Sequence, residues 1–447
     1  MATENGKKEM VNMRVKVIGK TTVFSSEKFG RRECPLVTFD LPYLTFFYNQ
    51  KVLLYKGGVF EEMVENLKEG LRVVLGEFYP LVGRLGQDEE GVLRVVCDDA
   101  YGGVEVSEAV AEDVDVAELA EDETSSILKE IVPYTGILNL EGLHRPLLAV
   151  QFTKLRDGMA IGCAFNHAIL DGNSTWHFMS SWAEICRGST TISVLPFHDR
   201  TKARNTRVKL ELPKSAAEFK RLTQSNGETK VVPRFREKIF RFSESAIDKI
   251  KSDVNSNLSN GSKPFSTFQS LGAHIWMAIT RARRLKPEDY TVFTVFTDCR
   301  KRVDPKMPDN YFGNLIQAVF TVLPAGVLLA NPPEFGASML QKVIGMHDAK
   351  AIDDRSKEWE SAPKLFQYED AGGNCVAVGS SPRFRVYDVD FGWGKPEAVR
   401  SGSNNRFDGM VYLYQAKSGG RNIDVEVSLE AGAMENLEKD QEFLMEV

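Results

Sequence analysis

The pattern running from residue 147 to residue 186 constrains the fold more than any other part of the chain. Residues 147–155 alternate well enough to form a strand, Asp157-Gly158 is a turn pair, and residues 159–165 are a short run of small and apolar types. That order reads as a hairpin. Immediately after it, Asp171, Asn173 and Ser174 are helix-capping types, and Trp176, Met179, Trp182, Ala183 and Cys186 recur at helical spacing. A hairpin that feeds straight into an amphipathic helix needs sheet and helix layers in the same half of the chain. The turn between them carries His167, Asp171 and Gly172.

Elsewhere the same mixture recurs. Residues 11–23 and 35–47 carry strand-like patches around a charged turn with Lys28, Arg31 and Arg32. The apolar positions Met63, Val64, Leu67, Leu71, Val74, Leu75 and Phe78 form one helical face, which Pro80 should end. Residues 93–96 and 103–106 read as strands, and 114–131 as an acidic helical segment. Residues 189–214 are polar and basic, with Lys202, Arg204, Arg207 and Lys209, and are expected to cross between domains. Residues 224–233 and 252–263 are further polar interruptions. Ser266 and Gln269 fit a capping box for a helix with the stripe Phe268, Leu271, Ile275, Ala278 and Ala282. Strands are expected at residues 291–297, 386–391, 409–414 and 423–429, and a helix at 334–351.

A chain of 447 residues exceeds one ordinary core, and both halves mix strands with helices, so two α/β or α+β domains are expected. Fifty-six basic against 62 acidic residues leave a net charge of −6, with no global field to recruit nucleic acid or an acidic membrane. The six cysteines at 34, 97, 163, 186, 299 and 375 show no metal-binding spacing, as in a reduced cytosolic protein. Nothing approaches the length of an apolar membrane span, the first nine residues do not resemble a secretory signal, and the last are not a peroxisomal address. A cytosolic protein is expected.

Several reaction classes lack their signatures. The chain has no Gly-x-Ser-x-Gly elbow, no His-Glu-x-x-His, no Walker loop and no strand-linked dinucleotide fingerprint. A base without an obvious protein nucleophile remains. Histidine, with an ordinary pKa near 6.5, can take a proton from a hydroxyl or amine and return it to a leaving group. His167 is either such a base or a core histidine satisfied by a carbonyl. His177 falls on a polar helix face and is expected to be solvated, while Cys163 sits among apolar residues and reads as inert. Two further stretches stand out: Asp390-Phe391-Gly392-Trp393-Gly394, a tight backbone around a tryptophan, and the cationic Asp298-Cys299-Arg300-Lys301-Arg302.

Together these stretches resemble the plant BAHD acyltransferases, which move acyl groups from coenzyme A thioesters to alcohols or amines. His167-Ala-Ile-Leu-Asp171-Gly172 and Asp390 to Gly394 match the two motifs of that family. Tyr79 to Leu85, Asp298-x-Arg-x-Arg302 and Tyr311-Phe-Gly-Asn314 fall in the expected order between them. The chain is most similar to the cuticle-associated subgroup with defective cuticular ridges, through such stretches as Val37 to Tyr43, Trp176 to Gly188 and Gly379 to Arg385.

The resemblance implies two chloramphenicol-acetyltransferase-like domains with the active-site channel at their interface. They would be residues 1–188 with the first motif and 215–447 with the second, joined by a crossover at 189–214. It implies acyl-CoA as co-substrate, no permanently bound cofactor or metal, a small-molecule alcohol acceptor and a monomer. His167 would be the general base. Asp390 is carried beside it as a second catalytic candidate, although remoteness from the reaction centre favours a structural part. Asp171 would pair with Arg300, or failing that Arg302, and with Gly172 and Trp393 would shape the site. Ser266, Thr267, Lys202 and Arg204 are candidates for coenzyme A contact.

Some family features are missing. Where phenol-acylating members carry Ser-Trp before the second motif, this chain has Ser380-Ser381-Pro382, so Ser380 or Ser381 is the candidate oxyanion donor. Met277 stands where an arginine is frequent, and Leu315 where the anthocyanin-malonylating branch has cysteine. The expected activity is O-acylation of a lipid-like or cutin-type hydroxyl compound. The alternatives are acylation of a terpenoid or phenolic alcohol, or an amine, by an acetyl, benzoyl or hydroxycinnamoyl donor, and a non-catalytic interaction protein.

Overall fold

The hairpin is present: Leu148–Leu155 and Gly158–Phe165 pair antiparallel, with Leu148 opposite Phe165 and Lys154 opposite Met159. The computed structural model describes residues 14–121, 126–213, 218, 235–256, 258, 261–365 and 374–445. Among these residues the strands form two six-stranded sheets and one of three strands.

In the first large sheet the spatial order is Lys16–Val23, Val104–Ala111, Leu148–Leu155, Gly158–Phe165, Asn49–Lys56 and Ala398–Ser401. Only Val104–Ala111 and Leu148–Leu155 run parallel; the other neighbours are antiparallel. Period-two alternation sorts the side chains of Asn49–Lys56 into two cores. Val52 and Leu54 pack with Val116, Leu119 and Ile131, whereas Leu53 and Tyr55 join the larger core. That core lies beneath helices Phe60–Glu77 and Gly172–Cys186. Leu67, Leu71, Val74 and Leu75 are fully buried there, and Trp182 donates its indole hydrogen to the Leu67 carbonyl over 3.0 Å. Each such leucine contributes about 1.5–3 kcal/mol.

The second large sheet runs Ile316–Pro324, Tyr290–Asp298, Cys375–Val378, Met410–Gln415, Ile423–Glu430 and Phe235–Phe242. One face, with Val376, Val378, Val411 and Leu413, packs under helix Thr267–Ala282. The other turns Cys375, Ala377, Met410, Tyr412 and Tyr414 into the core of the first half. The two halves therefore share a core, and one strand crosses the division expected at residues 189–214. Ala398–Ser401, from the second half, completes the first sheet with Ser401 opposite Lys51 and Ala398 opposite Leu54.

Several local expectations need correction. Residues 35–47 are not a strand; Leu41–Tyr43 is a short 3-10 helix, and the strand lies earlier, at Arg31–Pro35. Pro42 offers no amide hydrogen to a ladder. The expected strand at 386–391 is a 3-10 turn at Val386–Asp388. The helix expected over 334–351 divides into Pro333–Met346 and Ala349–Ser361, because Asp348 caps the second by accepting from the Ala351 amide at 2.9 Å. The acidic segment is helical over Val116–Glu121 and 3-10 over Ser126–Lys129. In the first strand Lys16–Val23 is observed, while residues 11–13, 214 and the polar interruption at 224–233 lie outside the described residues. So do residues 257, 259 and 260 of the interruption expected at 252–263. Its beginning instead belongs to helix Glu244–Asn255.

Candidate active site

The buried strand Gly158–Phe165 delivers Asn166 and His167 to a turn between the two halves, and Asp171 then starts helix Gly172–Cys186 as its N-cap. The backbone of His167 is clamped at both ends. Its amide donates to Asn139 Oδ1 at 2.8 Å, and its carbonyl accepts from Asn314 Nδ2 at 2.8 Å. The ring of Tyr43 stacks on the imidazole with centroids 4.7 Å apart and planes 8° from parallel. The imidazole is thereby fixed in position, and one side of it opens into a cavity of about 1230 Å³.

Burial lowers the pKa of His167 below 6.5, and the positive charge of Lys51 acts in the same direction. The histidine's own carbonyl, Asp171 and Asn314 oppose this without cancelling it. A neutral imidazole is the proton-accepting form.

Asp171 faces away from the cavity. Its Oδ1 accepts the Ser174 amide hydrogen at 3.0 Å, Oδ2 accepts that of Leu315 at 3.0 Å, and Arg300 grips both oxygens at 2.8 and 3.0 Å. Burial works to raise the carboxyl's pKa, but Arg300 and these amides hold it below its ordinary range. Arg302, the second candidate partner, donates instead to the carbonyls of Ile344 and His347 at 2.7 and 2.8 Å. Gly172 lines the cavity, and a Cβ there would meet the Phe384 ring at 2.8 Å. The motif glycine thus lets a side chain of the second half approach the turn.

Asp390 does not line the cavity. Its Oδ1 accepts the amide hydrogens of Gly392 at 2.8 Å and Gly394 at 2.9 Å, both glycines at positive φ, so it closes its own turn. Trp393 stacks on Phe391 and meets Tyr55 edge-on. The carboxylate of Asp390 is thus engaged within its own turn, outside the lining of the cavity that His167 faces. Ser266 and Thr267 do line the cavity, at the N-terminus of a sixteen-residue helix, and the capping box forms as its spacing suggested. Ser380 and Ser381 line it too, Ser381 Oγ accepting the Arg383 amide hydrogen at 3.3 Å.

Lys202 and Arg204 are not part of the cavity lining. Arg204 is engaged by Glu360 at 2.7 Å and Asp353 at 2.5 Å, partners that neutralise it. A crossover residue that reaches the turn between His167 and Asp171 is Arg200, fully buried and also outside the cavity lining, which donates to Asp40 Oδ1 at 2.6 Å and to the Ile169 carbonyl at 2.5 Å. His177, expected in solvent, binds the Val194 carbonyl at 2.8 Å and packs edge-on against Phe78. Asn139 and Arg200 had no motif to announce them, and Tyr43 and Asn314 stand in stretches that carry the resemblance without any role being read from them. No group of three or more metal-ligating side chains exists among the described residues, nor is any helix among them long and apolar enough to cross a membrane.

Residues 13–444 match the model of the transferase family. The chain is 60% identical to the BAHD acyltransferase DCR of Arabidopsis thaliana, over 97% of this chain and 93% of that protein. Among solved structures, vinorine synthase superposes with a TM-score of 0.72 at 21% identity, covering 97% of this chain and 98% of that one. The TRI101 protein of F. sporotrichioides, solved with coenzyme A and T-2, gives a TM-score of 0.72 at 19% identity over 93% of this chain and 98% of its own. These likenesses establish the two-domain chloramphenicol-acetyltransferase-like fold. The chain belongs to the BAHD acyltransferases of the transferase family and is an enzyme that transfers acyl groups.

Proposed function

We propose that this enzyme moves an acyl group from a coenzyme A thioester directly to a hydroxyl of a lipid-like, cutin-type acceptor, with His167 as general base. The observation that carries this reading is the clamped, neutral-leaning imidazole opening into a large cavity whose walls include Phe39, Phe46, Phe407, Met410 and Leu413. The similarity to the cuticle-associated subgroup supports an aliphatic acceptor.

In this mechanism His167 takes the hydroxyl proton as the acceptor oxygen forms its bond to the thioester carbonyl carbon. The negative charge passes to the carbonyl oxygen, where Ser380 is the candidate donor. Collapse of the tetrahedral species breaks the carbon–sulfur bond, and the departing thiolate takes the proton from the imidazolium. Atoms and charge balance without a covalent acyl-enzyme.

Coenzyme A is a polyanion, and the cavity suits one. Exposed Lys251 and Arg383 lie on its lining with the N-terminus at Ser266 and Thr267, whereas Asp298 is the single acidic residue there among the described residues. Soluble cytosolic action as a monomer goes with this reading.

The test is a product assay. Purified enzyme is incubated with acetyl, long-chain, benzoyl and hydroxycinnamoyl thioesters against hydroxy fatty acids, fatty alcohols, terpenoid alcohols and phenols, and esters are identified by mass spectrometry. Highest kcat/KM with an ω- or mid-chain hydroxy lipid supports the assignment. Preference for a phenolic or terpenoid alcohol would transfer the enzyme to specialised metabolism, and absence of any ester across the panel would favour an interaction protein.

A further inference from the structure

Lys51 is the buried charge that the mechanism leaves unused. It sits on strand Asn49–Lys56 with 4% of its surface exposed and lines the same cavity as His167. Its ammonium donates one hydrogen bond, to Tyr414 Oη at 3.2 Å, and lies over the rings of Tyr412 and Tyr414 at 5.6 and 5.9 Å. Among the described residues no carboxylate pairs with it. Glu426, whose field favours the ammonium, is taken at 2.8 Å by Arg406, whose charge opposes it. Tyr414 in turn shares a hydrogen bond of 2.5 Å with Ser401, on the strand paired with that of Lys51.

An isolated buried ammonium is expensive, and the usual compensations are a partner anion or loss of the proton. Burial has drawn the pKa of Lys51 down to about 8, so at neutral pH the charge persists. Of its three N–H donors, Tyr414 occupies one. Asn49, two residues earlier on the same face of the strand, also lines the cavity and adds an amide donor. Two polar donors on one strand face, beside an apolar chamber, make a receptor for a small monoanion.

We infer that Lys51, with Asn49, binds a carboxylate carried by the acceptor, so that the favoured acceptor is a hydroxy acid in its free form and not a neutral alcohol or ester. This rests on the reading of the cavity as an acyl-transfer site. Coenzyme A phosphates are large and strongly hydrated, and they suit exposed Lys251 and Arg383, whereas a buried single ammonium suits a carboxylate. The same chemistry could come from a dicarboxylic acyl group on the donor, and the test separates the two.

The experiment compares wild type with Lys51→Met, which keeps an unbranched apolar stem without the charge, and Lys51→Arg, which keeps the charge. With one saturated acyl thioester as donor, 16-hydroxyhexadecanoic acid and its methyl ester are used as acceptors. Wild type should favour the acid by at least tenfold in KM, Lys51→Met should raise KM for the acid at least tenfold more than for the ester, and Lys51→Arg should recover part of the preference. In a second arm, a neutral fatty alcohol is acylated from thioesters with and without a terminal carboxylate; a preference that appears only here, and is lost in Lys51→Met, would overturn the acceptor assignment. Equal losses on acid and ester would overturn it as well, placing Lys51 at the reaction centre instead. Quenching of tryptophan fluorescence, with Trp176 and Trp359 on the cavity wall, reads binding without turnover. Tighter binding of acid than ester that depends on Lys51 upholds the receptor even where no ester product forms, and that pair of results would reject the transferase reading alone.

Discussion

Arg300 holds Asp171 with two arms, Nη1 to Oδ2 at 2.8 Å and Nη2 to Oδ1 at 3.0 Å, and both side chains are buried. The aspartate of the first motif therefore spends its charge on a strut between the two halves. Removing it leaves the guanidinium with only the half-exposed Asp298, 3.0 Å from Nη1, as a carboxylate partner, and breaking a buried pair costs about 3–5 kcal/mol. Asp171→Asn should lower the free energy of unfolding by that order in chemical denaturation. Combining it with Arg300→Met should cost less than the sum of the single changes. A loss under about 1 kcal/mol for Asp171→Asn would contradict the strut.

Activity should depend on pH through His167. Its folded pKa is depressed by burial ahead of every other influence, so the imidazole stays neutral, and competent as a base, below pH 6.5. As pH falls through the depressed value the base is protonated and rate is lost. With a neutral alcohol as acceptor, the acidic limb of kcat/KM should bend below pH 6.5 and the rate should be level from there to pH 7. An inflection above 6.5 would mean that Asp171 and the local carbonyl outweigh desolvation.

Gly172 faces the Phe384 ring, and a methyl group there would lie 2.8 Å from it. Gly172→Ala should push the ring into the cavity, at a cost to stability of about 1 kcal/mol. The larger effect should appear as a raised KM for the acceptor. Adding Phe384→Leu should restore KM, and a crystal structure of the single variant should show the displaced ring.

Asp390 accepts two glycine amides within its own turn and stands outside the cavity. Losing charge-assisted hydrogen bonds of this kind costs about 1.5–3 kcal/mol each. Asp390→Ala should melt earlier than wild type while kcat per folded molecule falls less than about tenfold. A fall comparable to that of a His167 variant, with stability intact, would return Asp390 to the catalytic residues.

The strand, turn and helix around His167 were legible because alternation and 3.6-residue spacing report burial locally, and Asp171 is a capping residue type at a helix start. The clamp on His167 was not. Asn139 is 28 residues away and Asn314 is 147, and neither stands in a pattern that betrays its partner. Arg200 is likewise one cation in a polar stretch until Asp40, 160 residues distant, meets it. The segment 35–47 misleads because Phe39, Tyr43 and Phe46 are strand-favouring types that here line the cavity, with Tyr43 stacked on the imidazole. Lys202 and Arg204 show the limit of reading cations from sequence, since Arg204 spends its charge on Glu360 and Asp353.

The role of His167 as the base bears the rest of the mechanism. It is tested by the rate of thiol release in single turnovers, with enzyme in excess of thioester and acceptor saturating, for wild type against His167→Ala, with circular dichroism confirming that both are folded. A loss of roughly a hundredfold or more with unchanged thioester binding is expected, the scale of a missing general base. Equal thiol release by the two proteins would contradict it.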